Sequence, residues 1–171
     1  NGSETVLEEV SDAPVTLGYC PDYSADMNVG VAMERLLVSS QDVAHDKEKL
    51  KELGVTHVLN VAYGVPNSFS EDFTYLTTEM YDDNEESLLN HYGKCETFID
   101  AAMETQGTVL VHCNAGRSRS ASIALAYVLH KKRTPLQTAL QHLRETRPTA
   151  QPNEHFMEQL RKLQETLKIH S

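Results

Sequence analysis

The sequence predicts an α/β domain, a central sheet covered by helices on both sides. Three observations predict it. Short β-branched runs alternate with helical patterns along most of the chain, as layered strands and helices do. One run, residues 108–112 ("TVLVH"), is apolar on both faces and so belongs in the middle of a sheet. The run after it, residues 120–130 ("SASIALAYVLH"), is apolar nearly all round, as a buried helix must be.

The elements follow in order. Residues 1–28 are acidic, with Glu4, Glu8, Glu9, Asp12, Asp22 and Asp26, and lack apolar periodicity. They are expected to form a flexible or loosely docked arm before a domain spanning 29–171. "VGVAMERLLVSS" holds two short strands. "AHDKEKLKELG" is a short helix with Leu50 and Leu53 on one face, stopped by Gly54. "VTHVLNVA" is a buried strand, "YGVPNSFSEDF" a loop and "TYLTTEM" another strand. Acid-rich "YDDNEES" leads into a helix whose apolar stripe is Leu88, Tyr92, Cys95, Ile99 and Ala102, so Cys95 reads as core. Gly107 is expected to close it. Two amphipathic helices end the chain, one carrying Leu136, Leu140 and Leu143, the other Phe156, Leu160, Leu163 and Leu167.

With 171 residues, 40% of them hydrophobic, the chain can bury one substantial core without metals or disulfides. A net charge of −10 and a pI near 5.2 argue against binding nucleic acid or an anionic membrane, both of which need basic surface. No apolar run has the length of a membrane span, and no secretory signal opens the chain. The chain lacks an initiator methionine and reads as an excised domain. Cys20, Cys95 and Cys113 are odd in number and form no CxxC pair. Free thiols in a reducing compartment, the cytoplasm or nucleus, are the expectation, with no metal and no cofactor.

The chemistry concentrates in "VHCNAGRSRSA". A strand ending in His112 and Cys113, a short loop containing Gly116 and an immediate helix together make an anion-binding device. Loop N–H groups converge on one point, and the helix N-terminus adds partial positive charge there. The same environment favours the thiolate, which is the nucleophilic form of cysteine. Arg119, six positions after Cys113, carries a planar fork suited to two non-bridging phosphate oxygens. A buried structural cysteine does not account for Gly116 and two arginines in so few positions.

This stretch resembles the HCx5R signature of cysteine-dependent tyrosine phosphatases, in the HCxxGxSRS form of the dual-specificity phosphatases. The resemblance covers about residues 29 to 167, including "LLVSSQDVAHD", "GVTHVLNVAYGVPN" and "RPTAQPNEHFMEQL", and points to small, atypical members. It implies the cysteine-dependent phosphatase fold, with a mixed, mostly parallel sheet. It also implies hydrolysis of phosphotyrosine and phosphoserine or phosphothreonine through a phosphocysteine on Cys113. The backbone of Asn114, Ala115, Gly116, Arg117, Ser118 and Arg119 would cradle the phosphoryl oxygens, with Arg119 as clamp and Ser120 easing departure of the sulfur. His112 would support the loop by hydrogen bonding. The implied partner is a phosphoprotein, a MAP kinase or its upstream kinase.

The general acid is sought in "EMYDDNEESLL". In the family it stands six residues before the apolar position opening the next helix, so Leu88 selects Asp82. Asp83, paired with Leu89, remains a competitor. Asn60 and Asn153 match asparagines that brace the phosphate loop, Asn153 doubling as a helix N-cap. Arg147 stands where some relatives meet a second phosphate, a plain surface arginine being the alternative. Arg117 opens a second reading, since "AGRSRS" also resembles a phosphatidylglycerophosphate phosphatase and suggests a lipid substrate. The third reading is a phosphopeptide-binding scaffold. Such relatives lose the cysteine or the arginine, and this chain keeps both.

Overall fold

In the computed structural model, residues 24–171 are described. Most of the acidic arm, Cys20 included, lies outside them. One sheet of five strands forms the centre: β1 (Gly30–Met33), β2 (Leu36–Ser39), β3 (His57–Ala62), β4 (Thr74–Met80) and β5 (Val109–His112), in the order β1-β2-β5-β3-β4. Only β1 runs antiparallel, against β2, and every other pairing is parallel. The sheet is therefore mixed and mostly parallel, with β5 at its centre and all four of its residues buried.

Among the described residues six helices cover it: α1 (Gln41–Ala44), α2 (Lys47–Glu52), α3 (Leu88–Glu104), α4 (Arg119–Lys132), α5 (Leu136–Thr146) and α6 (Glu154–Thr166). Strand alternation sorts them onto two faces. Leu36, Val38, Leu59, Val61, Val109 and Val111 pack under α3–α6. Leu37, Val58 and Leu110 pack with Val43 and Leu50 of α1 and α2 on the other side. Each such side chain contributes about 1.5–3 kcal/mol when fully buried, so two cores on one sheet hold the layers together. The α3 stripe is as its spacing predicts, with Leu88, Tyr92, Cys95, Ile99 and Ala102 all buried. In α4 every residue from Ser120 to Leu129 is buried. No helix among the described residues is long and apolar enough to cross a membrane.

Three local readings change. The helix expected over 44–54 is α2 alone, and an unexpected single turn, α1, precedes it with its own cap. Ser40 Oγ accepts from Asp42 N to open α1, and Asp46 Oδ1 accepts from Lys49 N to open α2. Gly107 is not the left-handed residue closing α3. Gln106 takes that conformation, at φ 61°, and Gly107 is needed for close approach, since a Cβ there would lie 2.6 Å from Thr56 Oγ1. The last residues of the expected arm are docked: Asp26 and Asn28 both bond the guanidinium of Arg147.

Candidate active site

Parallel strands β2, β5 and β3 end together, with His112 in register with both Ser39 and Asn60. Ligands of open α/β sheets bind at this carboxyl edge. The chain leaves β5 through Cys113, turns through residues 114–118 and enters α4 at Arg119. Gly116 makes the turn possible in two ways. Its φ is +67°, and a Cβ there would lie 2.4 Å from the Ser39 carbonyl carbon and oxygen. On the same side, Gln41 N donates to Asn114 O at 3.0 Å, tying the loop to the start of α1.

Cys113 is 2% exposed, and its Sγ lies at the floor of the loop. The Gly116 N–H donates to Sγ at 3.2 Å, and Ser120 Oγ lies 3.2 Å from it. Arg119 reaches back across the site, its two terminal nitrogens donating to Met80 O and Asn114 Oδ1 at 3.0 Å each. Its Nε is buried with no hydrogen-bond partner among the described residues. A buried donor costs stability when unpaired, so this nitrogen suits an oxyanion. His112 is buried, its Nδ1 3.2 Å from the Cys113 carbonyl. Burial pushes its pKa down to about 4, outweighing that bond, so near pH 7 the ring is neutral. Cys95 sits in the core, where burial pushes its thiol up to about 12 and leaves it inert.

A cavity of about 490 Å³ opens above the loop, lined by Cys113, Ala115, Arg117, Ser118, Arg119 and Asp82, and beyond them by residues 151–154. Asp82 therefore joins Cys113 and Arg119 in one space. Asp83 faces a separate depression with Glu79, Tyr81 and Glu85, and its Oδ1 accepts from Glu85 N and Glu86 N, a turn-forming role. Two adjacent acids that the sequence left in competition thus have different surroundings. Asn153 carries three tasks at once. Its N–H donates to Ser118 Oγ in the loop, its Oδ1 caps α6 at Phe156 N, and its Nδ2 donates to Asp82 Oδ1 at 2.8 Å.

Asn60 does otherwise than expected. Its side chain bonds Val65 O, Asn67 Oδ1 and Ala62 N, bracing the β3–β4 connection and not the phosphate loop. Arg147 is neither a surface residue nor open to a second phosphate. It is 0% exposed, with Nε donating to Gly116 O at 2.7 Å and a terminal nitrogen to Ala115 O at 2.9 Å. Amides that converge on an anion send their carbonyls backwards, and Arg147 takes up two of those carbonyls. No local pattern announces this; the one hint is Gly30, whose Cβ would lie 2.6 Å from that of Arg147. Arg117 is exposed on the rim between this cavity and a second of about 410 Å³, its guanidinium 3.5 Å from Gln151 Oε1. Among the described residues no group of His, Cys, Asp and Glu is arranged to hold a metal ion.

Comparison with known proteins agrees with this geometry. The model of the dual specificity phosphatase catalytic domain matches residues 36–166. The mouse dual specificity protein phosphatase 19 is 46% identical over 147 residues, covering 86% of this chain and 67% of its own. The Arabidopsis thaliana dual specificity protein phosphatase 1 is 37% identical over 145 residues, 84% of this chain and 73% of its own. The crystal structure of human DUSP28 superposes with a TM-score of 0.77 at 32% identity, covering 82% of this chain and 95% of that one. The lipid-phosphatase reading raised by Arg117 is not favoured by these relatives. A loop shaped for an oxyanion, at the edge of this sheet and inside this domain match, leads to one conclusion: the chain belongs to the dual-specificity phosphatase family and is a protein phosphatase.

Proposed function

We propose that Cys113 is the nucleophile, Arg119 the phosphate clamp and Asp82 the general acid and base of this phosphatase. The observation that carries the reading is that the sulfur, the guanidinium and one carboxylate line a single cavity. In the first step Sγ attacks phosphorus in line while the bond to the substrate oxygen breaks. Asp82 gives its proton to that oxygen, and the phosphoryl group remains on sulfur. The amides of Asn114, Ala115, Gly116, Arg117, Ser118 and Arg119, with the Arg119 fork, hold the equatorial oxygens where charge develops. In the second step the Asp82 carboxylate takes a proton from water, whose oxygen attacks phosphorus. The S–P bond breaks and inorganic phosphate leaves. Ser120, 3.2 Å from Sγ, donates to the departing sulfur.

The substrates proposed are phosphorylated kinases of MAP-kinase cascades, met in the cytoplasm or nucleus, where a reducing medium keeps Cys113 a thiol. The resemblance to dual specificity phosphatases supports this.

The purified chain is expected to hydrolyse an aryl phosphate with chelator present, to be inhibited by vanadate, and to prefer phosphopeptides over an acidic phospholipid. Cys113→Ser abolishes turnover; undiminished activity would sink the thiolate mechanism. Asp82→Ala lowers kcat/KM for a poor leaving group by about 10²-fold or more, and Asp83→Ala does so far less. The reverse ranking refutes the acid assignment.

A further inference from the structure

The residue chosen as acid stands on a loop, yet a general acid must be held within hydrogen-bond reach of the oxygen it protonates. The loop runs from Tyr81 to Ser87, between β4 and α3. Its two ends are drawn together by one carboxylate, that of Glu86. Tyr81 N donates to Glu86 Oε2 at 2.7 Å, and Ser87 N donates to Oε1 at 3.1 Å. His91, one turn into α3, brings Nε2 to within 2.9 Å of the same Oε1. A carboxylate only accepts, so Nε2 carries the hydrogen. The other ring nitrogen, Nδ1, lies 2.5 Å from Oγ1 of Thr78, a buried residue of β4. The chain of contacts therefore runs from strand through imidazole to carboxylate and into the Met80–Tyr81 peptide, one residue before Asp82.

This carboxylate is mostly covered, although it and His91 border the depression that also holds Asp83. The Glu86 side chain is 11% exposed and that of His91 16%. Burying a charged group without partners costs several kcal/mol, and here three donors meet it. Gln159 of α6 completes the frame, donating to Glu86 O at 3.0 Å and accepting from Leu88 N at 2.7 Å. On the cavity side Asn153 Nδ2 holds Asp82 itself. Asp82 is thus gripped directly from α6 and through its neighbour's amide from Glu86. Glu86 does not line the cavity that contains Cys113.

We infer that Glu86, oriented by His91, is a positioning residue for the general acid, stapling the Tyr81–Ser87 loop so that Asp82 stands over Cys113. The inference rests on Asp82 being the acid. Its consequence is specific: Glu86 acts on leaving-group protonation through Asp82, and vanadate inhibition reports whether Arg119, bonded to Met80 O of the same peptide, has moved. Loss of the staple penalises protonation of a poor leaving group and spares a leaving group that needs no proton.

The test is a double-mutant cycle on kcat/KM, which reports the first chemical step, with phenyl phosphate and dinitrophenyl phosphate as probes. Glu86→Ala is expected to lower kcat/KM for phenyl phosphate by about tenfold or more, part of the 10²–10⁴ that general acids supply. For dinitrophenyl phosphate it stays within about twofold, as does vanadate inhibition. Glu86→Gln, which keeps one acceptor oxygen, recovers part of the loss, and His91→Ala loses less than Glu86→Ala. In an Asp82→Ala background, Glu86→Ala has no further effect on either substrate. Equal losses on both substrates, or full additivity with Asp82→Ala, overturn the inference while leaving Asp82 as acid. If Asp82→Ala itself shows no dependence on the leaving group, the acid assignment has failed and not the staple alone.

Discussion

Replacing Arg147 by methionine tests how the phosphate cradle is held. Methionine fills the channel that the arginine stem occupies beside Gly30 but carries no donor. Five hydrogen bonds disappear, to Gly116 O, Ala115 O, Asn28 O, Asn28 Oδ1 and Asp26 Oδ2. They are not of equal weight. Gly116 is buried, so its carbonyl is left unpaired at about 1–3 kcal/mol. Ala115 and Asn28 are exposed and regain water. Asp26 is 40% exposed, so after solvent screening its ion pair is worth about 1 kcal/mol or less. The sum is about 1–4 kcal/mol, a sizeable part of a typical 5–15 kcal/mol total.

For a chain of this size that corresponds to a drop in Tm of roughly 2–16 °C. The chain has no tryptophan, so far-UV circular dichroism is the readout. Vanadate inhibition of the folded variant, measured well below its Tm, should weaken as well, because two loop carbonyls lose the donor that turns their amides inward. Arg147→Lys, with one ammonium in place of the fork, falls between. A variant that melts within about 1 °C of wild type and binds vanadate equally well refutes the reasoning. The pair has a pH signature too. Burial raises the Asp26 pKa, but the Arg147 hydrogen bond and charge outweigh it and leave the pKa below its ordinary 3.8. The stabilisation is therefore complete above that ordinary value and is lost as pH falls through the lowered one. The difference in stability between wild type and Asp26→Asn closes in acid.

Two further outcomes are expected. Gly116→Ala places a Cβ 2.4 Å from the Ser39 backbone at a φ of +67°, so the loop shifts. Activity should fall by about 10² or more, the scale of losing one oxyanion donor, and a loss under about threefold counts against the cradle. His112 is held neutral at about 4 against an ordinary 6.5, so the unfolded chain takes up its proton first. Its contribution to stability is full above 6.5 and is lost as pH falls from there toward about 4. His112→Asn should flatten that limb in urea titrations, and an unchanged limb assigns it to other groups.

Most of the fold was legible because it follows from local periodicity. The stripe through Leu88, Tyr92, Cys95, Ile99 and Ala102 and the all-round apolar α4 are consequences of helix geometry acting on neighbouring residues. The short α1 was missed because its single turn, Gln41–Ala44, has too few residues to show a period. Gln106 in the left-handed conformation was missed because Gly107 beside it looked the better candidate.

The site divides along the same line. Cys113, Gly116 and Arg119 lie within one loop and the start of one helix, so an anion-binding thiol site was suggested by their spacing, and the role proposed for Ser120 by the resemblance. The preference for Asp82 over Asp83 rested on the resemblance, through Leu88, and left Asp83 in competition. Successive residues of a turn face different ways, and only the packing of α6, through Asn153, decides which one meets the cavity. Arg147 lies 31 residues from the carbonyl it holds, and Asn153 lies 71 from Asp82. What the sequence by itself determined was the reaction, because a nucleophile and its phosphate cradle need only a short stretch of backbone. What the tertiary structure alone decided was which distant side chains hold that stretch in place, because their hydrogen bonds depend on where the sheet and its helices bring separate segments together.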